Sequence, residues 1–170
     1  FNSAGVQQWT YNATGISGAV YGDFATDKVT GTCYRAEGAR GAGSRVLKVN
    51  TLGSLTGTFP GNASMLEMWR AEYNSCNHQI VIGGGGTNSP NTQACLLDTN
   101  MATMTPVNPL AATDGFHDVC LIAMDPTGNT AYMAIAQTLA NSNFDNVVMS
   151  LPMPALTPAN YIKPDKFGFL

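Results

Sequence analysis

Residues 119–135, VCLIAMDPTGNTAYMAI, carry the clearest secondary-structure signal in this chain. An apolar run from Val119 to Met124 is followed by the turn sequence DPTGN and by a second run that begins at Thr130. Asp and Pro favour the start of a tight turn, and Gly supplies the positive φ needed near its end. The pattern predicts a β-hairpin.

Two other segments follow the same order of strand, turn and returning strand, and they extend over residues 18–34 and 68–82. Their predicted turns lie at residues 25–28 and 74–77. A further strand is predicted after each hairpin, at 44–49, 93–98 and 146–151. The returning strands are expected to begin near Val29, His78 and Thr130, a spacing of about 50 residues that is typical of propellers and solenoids. Because Gly, Pro and Asn interrupt nearly every helical window, an all-β fold is predicted.

The stretch from Ala94 to Ala136 resembles the junction between two blades of YVTN/NHL-type β-propellers. The residues that carry the resemblance are ACLLDTNMATMTPV at 94–107 and DGFHDVCLIAMDPTGNTAYMA at 114–134, and 44–59 matches more loosely. The resemblance implies β-propeller-like repeats of short antiparallel strands, with a structural role for His117 where a strand begins.

Three such units are expected between two terminal segments. Residues 1–16 are predicted to form an N-terminal strand or arm, and residues 17–152 three blade-like repeats, at about 17–66, 67–115 and 116–152. The Pro-rich segment 153–170 is predicted to form an extended arm. Because a closed propeller usually needs more blades, the repeats are expected to form an incomplete ring or a fragment of a longer protein.

A second resemblance involves residues 6–12, VQQWTYN, which are similar to the Q-x-W element of ricin-type β-trefoil lectins. A trefoil needs three copies about 40 residues apart. The phrase does not recur around Trp69 or later, so the propeller interpretation is preferred.

Composition excludes several classes of function. Charged residues make up 11% of the chain and the net charge is -3, so no basic stripe is available for nucleic acid. No apolar run approaches the length of about 20 residues that spans a bilayer, so membrane insertion is not expected.

The cysteines and two glycosylation sequons predict a secreted or cell-surface glycoprotein. Asn12 and Asn62 each begin an N-x-S/T sequence. The four cysteines lack the tight spacing of zinc ligands, and their even number in a charge-poor chain favours disulfides. We predict the pairs Cys33–Cys76 and Cys95–Cys120 because each would join adjacent units.

No catalytic constellation is evident. His78 and His117 are the only bases with a pKa near neutrality, and neither belongs to a nucleophile-elbow or zinc-protease motif. The acidic residues lack the spacing of a calcium loop. We therefore predict no catalytic residue, metal site or cofactor, and an enzyme is the less favoured interpretation.

Three aromatic side chains are candidates for binding, because Trp and Tyr stack on sugars and anchor protein contacts: Trp9, Tyr11 and Trp69. The favoured function is an extracellular structural or adhesive module that associates with itself or with partner chains in a coat or filament. The alternatives are a carbohydrate-binding, lectin-like module and a lactonase-like propeller hydrolase.

Overall fold

The computed structural model describes residues 4–12, 21–39, 43–61, 67–85, 94–107, 116–138, 144–153 and 160–162. These residues form three antiparallel sheets of four strands each, which confirms the all-β prediction. In this described part of the chain, no helix is long and apolar enough to cross a membrane.

Each sheet is built from consecutive strands that pair with their neighbours in chain order. Sheet 1 contains β1 (Tyr21–Thr26), β2 (Cys33–Ala39), β3 (Gly43–Val49) and β4 (Leu55–Phe59). Sheet 2 contains β5 (Glu67–Asn74), β6 (Gln79–Gly85), β7 (Ala94–Asp98) and β8 (Met104–Val107). Sheet 3 contains β9 (Phe116–Met124), β10 (Thr130–Thr138), β11 (Phe144–Pro152) and β12 (Asn160–Ile162).

The last strand comes from the Pro-rich segment 153–170. β12 pairs with β11, with Ile162 opposite Val148 and Asn160 opposite Ser150. Part of the segment predicted as an arm therefore forms the edge strand of the chain's own third sheet.

An Asp or Asn residue begins each turn between the first and second strands of a sheet. The amide of Asp27 donates to the carbonyl of Thr32 at 2.9 Å, and the amide of Asp125 donates to that of Thr130 at 3.0 Å. Asn74 is paired with Gln79 at the same point of sheet 2. The short side chains of Asp and Asn accept hydrogen bonds from amides further along the turn, which explains their selection here.

The predicted turns of the second and third hairpins are confirmed, and so are the third strands of all three sheets. The first turn was predicted at residues 25–28, with a returning strand from near Val29. It is wrong by two residues at its start and four at its end, because β1 continues to Thr26, the turn runs from Asp27 to Thr32 and β2 begins at Cys33. The Asp27 carboxylate accepts from the amide of Val29 at 2.9 Å, and Gly31 adopts a φ of 71° that disfavours other residues. These two features place the turn later.

The core lies between the sheets in two clusters. One joins sheets 1 and 2 and includes Ala36, Val46, Met68 and Ile82. The other joins sheets 2 and 3 and includes residues such as Met133. Alternate residues of a strand point to opposite faces, so sheet 2 contributes one face to each cluster.

A charged group is buried on the other face of sheet 1. The Glu37 side chain is 1% exposed, and its two oxygens lie 2.8 Å from the Nε atoms of Arg35 and Arg45. Two guanidinium groups offset the cost of burying this carboxylate.

Acid sensitivity is expected from Asp27. The hydroxyl of Thr30, with the amides of Val29 and Thr30, lowers the pKa of this carboxyl and outweighs the opposing effect of burial. A lowered folded-state pKa stabilises the fold above the unfolded pKa of about 3.9, and this contribution is lost as the pH falls through the folded pKa.

The Asp27→Asn variant keeps a side-chain acceptor but removes the charge. We expect it to melt below the wild type at about pH 6 and to approach the wild type as the pH falls below about 4. Thermal melts at a series of pH values measure the gap. A gap of constant size would contradict this account of Asp27.

Candidate functional site

The three sheets can be compared position by position from the residue that begins each first turn: Asp27, Asn74 and Asp125. These residues are about 50 positions apart. We define the docking face of a sheet by the residues four and two positions before this residue and seven and nine positions after it. These are Asp23, Ala25, Tyr34 and Ala36 in sheet 1, Arg70, Glu72, Val81 and Gly83 in sheet 2, and Leu121, Ala123, Tyr132 and Ala134 in sheet 3.

The third strand of each sheet adds one residue to the docking face, opposite the last residue of that set. Val46 is paired with Ala36, Ala94 with Gly83, and Val148 with Ala134. The same register therefore occurs in all three sheets.

Sheet 2 covers the docking face of sheet 1. Tyr34, Ala36 and Val46 are buried there, in one cluster with Met68 and Ala71 of β5. The amide of Ala71 also donates to the carboxylate of Asp23 at 3.4 Å. The first strand of the following sheet thus makes both apolar and polar contacts with this face.

Sheet 3 covers the docking face of sheet 2 in the same manner. Val81 and Ala94 are fully buried in the cluster with Val119 and Ile122 of β9. A Cβ atom added to Gly83 would lie 2.5 Å from Cγ1 of Val119 and 2.9 Å from Cδ1 of Ile122. Only a residue without a side chain leaves room for these two side chains of β9.

Polar contacts reinforce the second contact between sheets. The indole N–H of Trp69 donates to the carbonyl of Val119 at 3.2 Å, and Nε of Arg70 donates to the carbonyl of Cys120. The register of β5 and β6 shifts at Trp69, and that of β9 and β10 shifts at Cys120. Each shift places an extra residue in the first strand, five positions before the turn-leading residue.

The docking face of sheet 3 is uncovered. Leu121 is 59% exposed, Tyr132 47% and Val148 43%. The equivalents of Tyr132 and Val148 in sheets 1 and 2 are buried, and those of Leu121, which are Asp23 and Arg70, are half-buried. In sheet 3, the neighbouring Ala123 and Ala134 are exposed and half-buried, respectively. An apolar set of this kind on an ordered sheet is typical of an interaction site, and we take it as the candidate functional site.

The aromatic residues predicted to bind a ligand lie on different elements. Trp9 is 37% exposed and packs against Gly53, where a Cβ atom would lie 2.8 Å from the indole. Tyr11 is half-buried. The half-buried Trp69 contributes its N–H to the contact between sheets 2 and 3.

No disulfide joins the four cysteines. The predicted pairs Cys33–Cys76 and Cys95–Cys120 are therefore absent from the structure. Cys95 lies on β7 inside the core between sheets 1 and 2, where burial raises the pKa of its thiol. Cys76 lies instead in the β5–β6 turn, and its thiol donates to the carbonyl of Thr127 at 2.7 Å.

The asparagine of one of the two glycosylation sequons lies in the described part of the chain. Asn12 is exposed, which glycosylation requires. Asn62 lies outside the described residues.

A groove of about 340 Å³ is formed at the end of the molecule where the first hairpins turn. It is lined by residues of all three sheets, among them Lys28, Glu72, Tyr73 and Met124. Burial, together with the negative charge of Asp23, raises the pKa of the Glu72 carboxyl.

Tyr73 connects the first two turns beside this groove. Its hydroxyl lies 3.0 Å from Nδ1 of His78 and also bonds with Asp27. Burial and the nearby Asp27 carboxylate raise the pKa of Tyr73 to about 12. The phenol therefore stays protonated at neutral pH, and the arrangement holds the turns together without supplying an ionised nucleophile.

The described residues contain no group of three or more His, Cys, Asp or Glu side chains arranged to hold a metal ion. His117 lies on β9, and its side chain is outside the described set. No family model and no curated protein matches the chain.

The sequence analysis did not identify Leu121, Tyr132 and Val148 as site residues. The runs that contain them were predicted as strands, without a distinction between the two faces of the sheet. An alignment of the three hairpins on Asp27, Asn74 and Asp125 would have distinguished the residues on the two faces of sheet 3.

Proposed function

We propose that this chain is an extracellular structural or adhesive glycoprotein module, built from blade-like repeats of a propeller type, that assembles with copies of itself or with partner chains. The observation that carries the proposal is the uncovered docking face of sheet 3. Two faces with the same register are buried by a following sheet within the chain, so the third is suited to receive another one.

The chemistry of this face suits protein better than sugar. Leu121 and Val148 have no hydrogen-bonding groups, whereas sugar sites combine aromatic stacking with polar side chains. The indole N–H of Trp69 already donates to the carbonyl of Val119 between sheets 2 and 3, which argues against the carbohydrate-binding alternative.

The extracellular part of the proposal is supported by the low charge and by the exposure of Asn12, which begins the first sequon. The cysteines give it no support, because they form no disulfide. A surface rich in hydroxyl and amide groups, with an apolar docking face on sheet 3, is suited to an ordered assembly with few side reactions.

Placing a charge on the docking face tests the proposal. We expect Val148→Asp to abolish assembly, because the equivalent residues Val46 and Ala94 are fully buried at the contacts within the chain and an unpaired carboxylate would be buried there. Leu52→Asp is the matched control, since Leu52 is 79% exposed in the β3–β4 turn, away from the docking face.

Sedimentation velocity of both variants and the wild type, at equal concentrations, measures the outcome. We expect wild type and Leu52→Asp to assemble and Val148→Asp to remain a folded monomer. Equal assembly by all three proteins would show that the docking face of sheet 3 is not the assembly surface.

A further inference from the structure

We propose that the partner of the sheet 3 docking face is β1 of a second copy of this chain, with Phe24 as the inserted side chain. The inference rests on the proposed function and specifies its partner and geometry. It follows from a comparison of the first strands of the three sheets.

Each first strand has an insertion position three residues before the turn-leading residue. Phe24, Ala71 and Ile122 occupy it in sheets 1, 2 and 3. They are paired in register with Arg35, Ile82 and Met133, respectively, so the three strands present this position identically.

Two of the three insertion residues contact a docking face within the chain. Ile122 packs over Gly83 on the docking face of sheet 2. Ala71 is buried at the contact with the docking face of sheet 1, and its amide bonds to Asp23 of that face.

The third insertion residue has no such contact. Phe24 is 66% exposed, and it is one of the largest exposed side chains among the described residues. Behind it, Leu47 and Val49 of β3 are already buried, so the open part of this face is the first strand together with Arg35 of β2, which lies opposite Phe24. First strands are the elements that insert at both contacts within the chain.

Among the described residues, the docking face of sheet 3 and the insertion residue of sheet 1 are therefore both exposed. An aromatic ring over Ala134, flanked by Leu121, Tyr132 and Val148, would be enclosed by apolar atoms. The docking face belongs to sheet 3 and Phe24 to sheet 1. In a pair of copies, sheet 3 of one copy therefore contacts sheet 1 of the other, head to tail.

Head-to-tail contact has a consequence for assembly. It uses two different surfaces, so each added copy leaves one docking face and one insertion residue free. Such a contact produces a closed ring when the rotation closes and a filament when it does not.

Complementary variants test the pairing of surfaces. Phe24→Asp removes the insertion residue and keeps the docking face, while Val148→Asp does the reverse. Phe24 is exposed and opposite Arg35, so the new carboxylate is tolerated in the monomer. Circular dichroism verifies the fold, and Phe24→Ser is the substitute if Phe24→Asp misfolds.

Each variant alone should be a monomer of 17.9 kDa, with association about 100-fold weaker or more, as for a buried interface anchor. An equimolar mixture of Phe24→Asp and Val148→Asp retains one intact pair of surfaces. The mixture should form a dimer and nothing larger.

The outcomes separate this inference from the proposed function. Wild type that assembles while Phe24→Asp assembles equally well would overturn the role of β1 and leave sheet 3 as the assembly surface. Two monomeric variants whose mixture stays monomeric would overturn the head-to-tail contact. Wild type that never assembles would overturn both proposals.

Discussion

The Gly38→Ala variant is expected to lose at least about 3 kcal/mol of its free energy of unfolding and to melt about 10 °C below the wild type. Gly38 lies on β2 where sheet 1 meets sheet 2. A Cβ atom there would lie 2.6 Å from the backbone nitrogen of Met68 and 3.0 Å from Cα of Glu67. These are backbone atoms of β5, so relief requires the two sheets to separate.

Gly57→Ala is the control for this variant. Gly57 is also on a strand of sheet 1, but the atoms nearest to an added Cβ belong to the side chains of Met101 and Lys48, at 3.2 Å and 3.5 Å. Alanine otherwise stabilises a strand by restricting the unfolded chain. Similar melting temperatures for the two variants would show that sheets 1 and 2 do not approach so closely at Gly38.

Met133→Ala is expected to cost about 2–5 kcal/mol of the free energy of unfolding. Met133 is fully buried on β10, in the cluster between sheets 2 and 3. It is paired with Ile122 of β9 and Met149 of β11, so truncation would leave a cavity enclosed by two neighbouring strands.

Urea unfolding of Met133→Ala and Leu52→Ala, at one protein concentration, compares a buried side chain with an exposed one. The concentration is kept constant because assembly adds to apparent stability. Leu52→Ala should change the free energy by less than about 1 kcal/mol. Equal losses would mean that sheets 2 and 3 are not packed through Met133.

Local signals made the hairpins predictable. The sequence DPTGN at Asp125 contains a turn initiator, a proline and a glycine in the order that a tight turn needs. The first hairpin was misplaced because the choice between residues 25 and 27 depends on the bonds of the Asp27 side chain and the φ of Gly31.

Chain order alone was not enough to predict whether the cysteines form disulfide pairs. Pairing was inferred from their places in adjacent units, but the face on which each side chain lies decides whether two sulfurs meet. Cys95 points into the core between sheets 1 and 2, whereas Cys76 contacts the turn of sheet 3.

The exposure of the candidate site depends on which docking faces are covered by another sheet. Tyr132 and Val81 occupy equivalent positions, and both lie in apolar runs that predict burial. Only the arrangement of the sheets shows that Val81 is covered by β9 and that Tyr132 is exposed. The sequence nevertheless contained the repeat of about 50 residues from which this equivalence follows.

The central claim is that the docking face of sheet 3 receives another protein surface. Sedimentation equilibrium of the wild-type chain, from about 1 µM to about 100 µM, tests it most directly, because interfaces of standard size associate in or below this range. We predict an average mass that rises with concentration above 17.9 kDa. A mass of 17.9 kDa across the whole range would contradict the account.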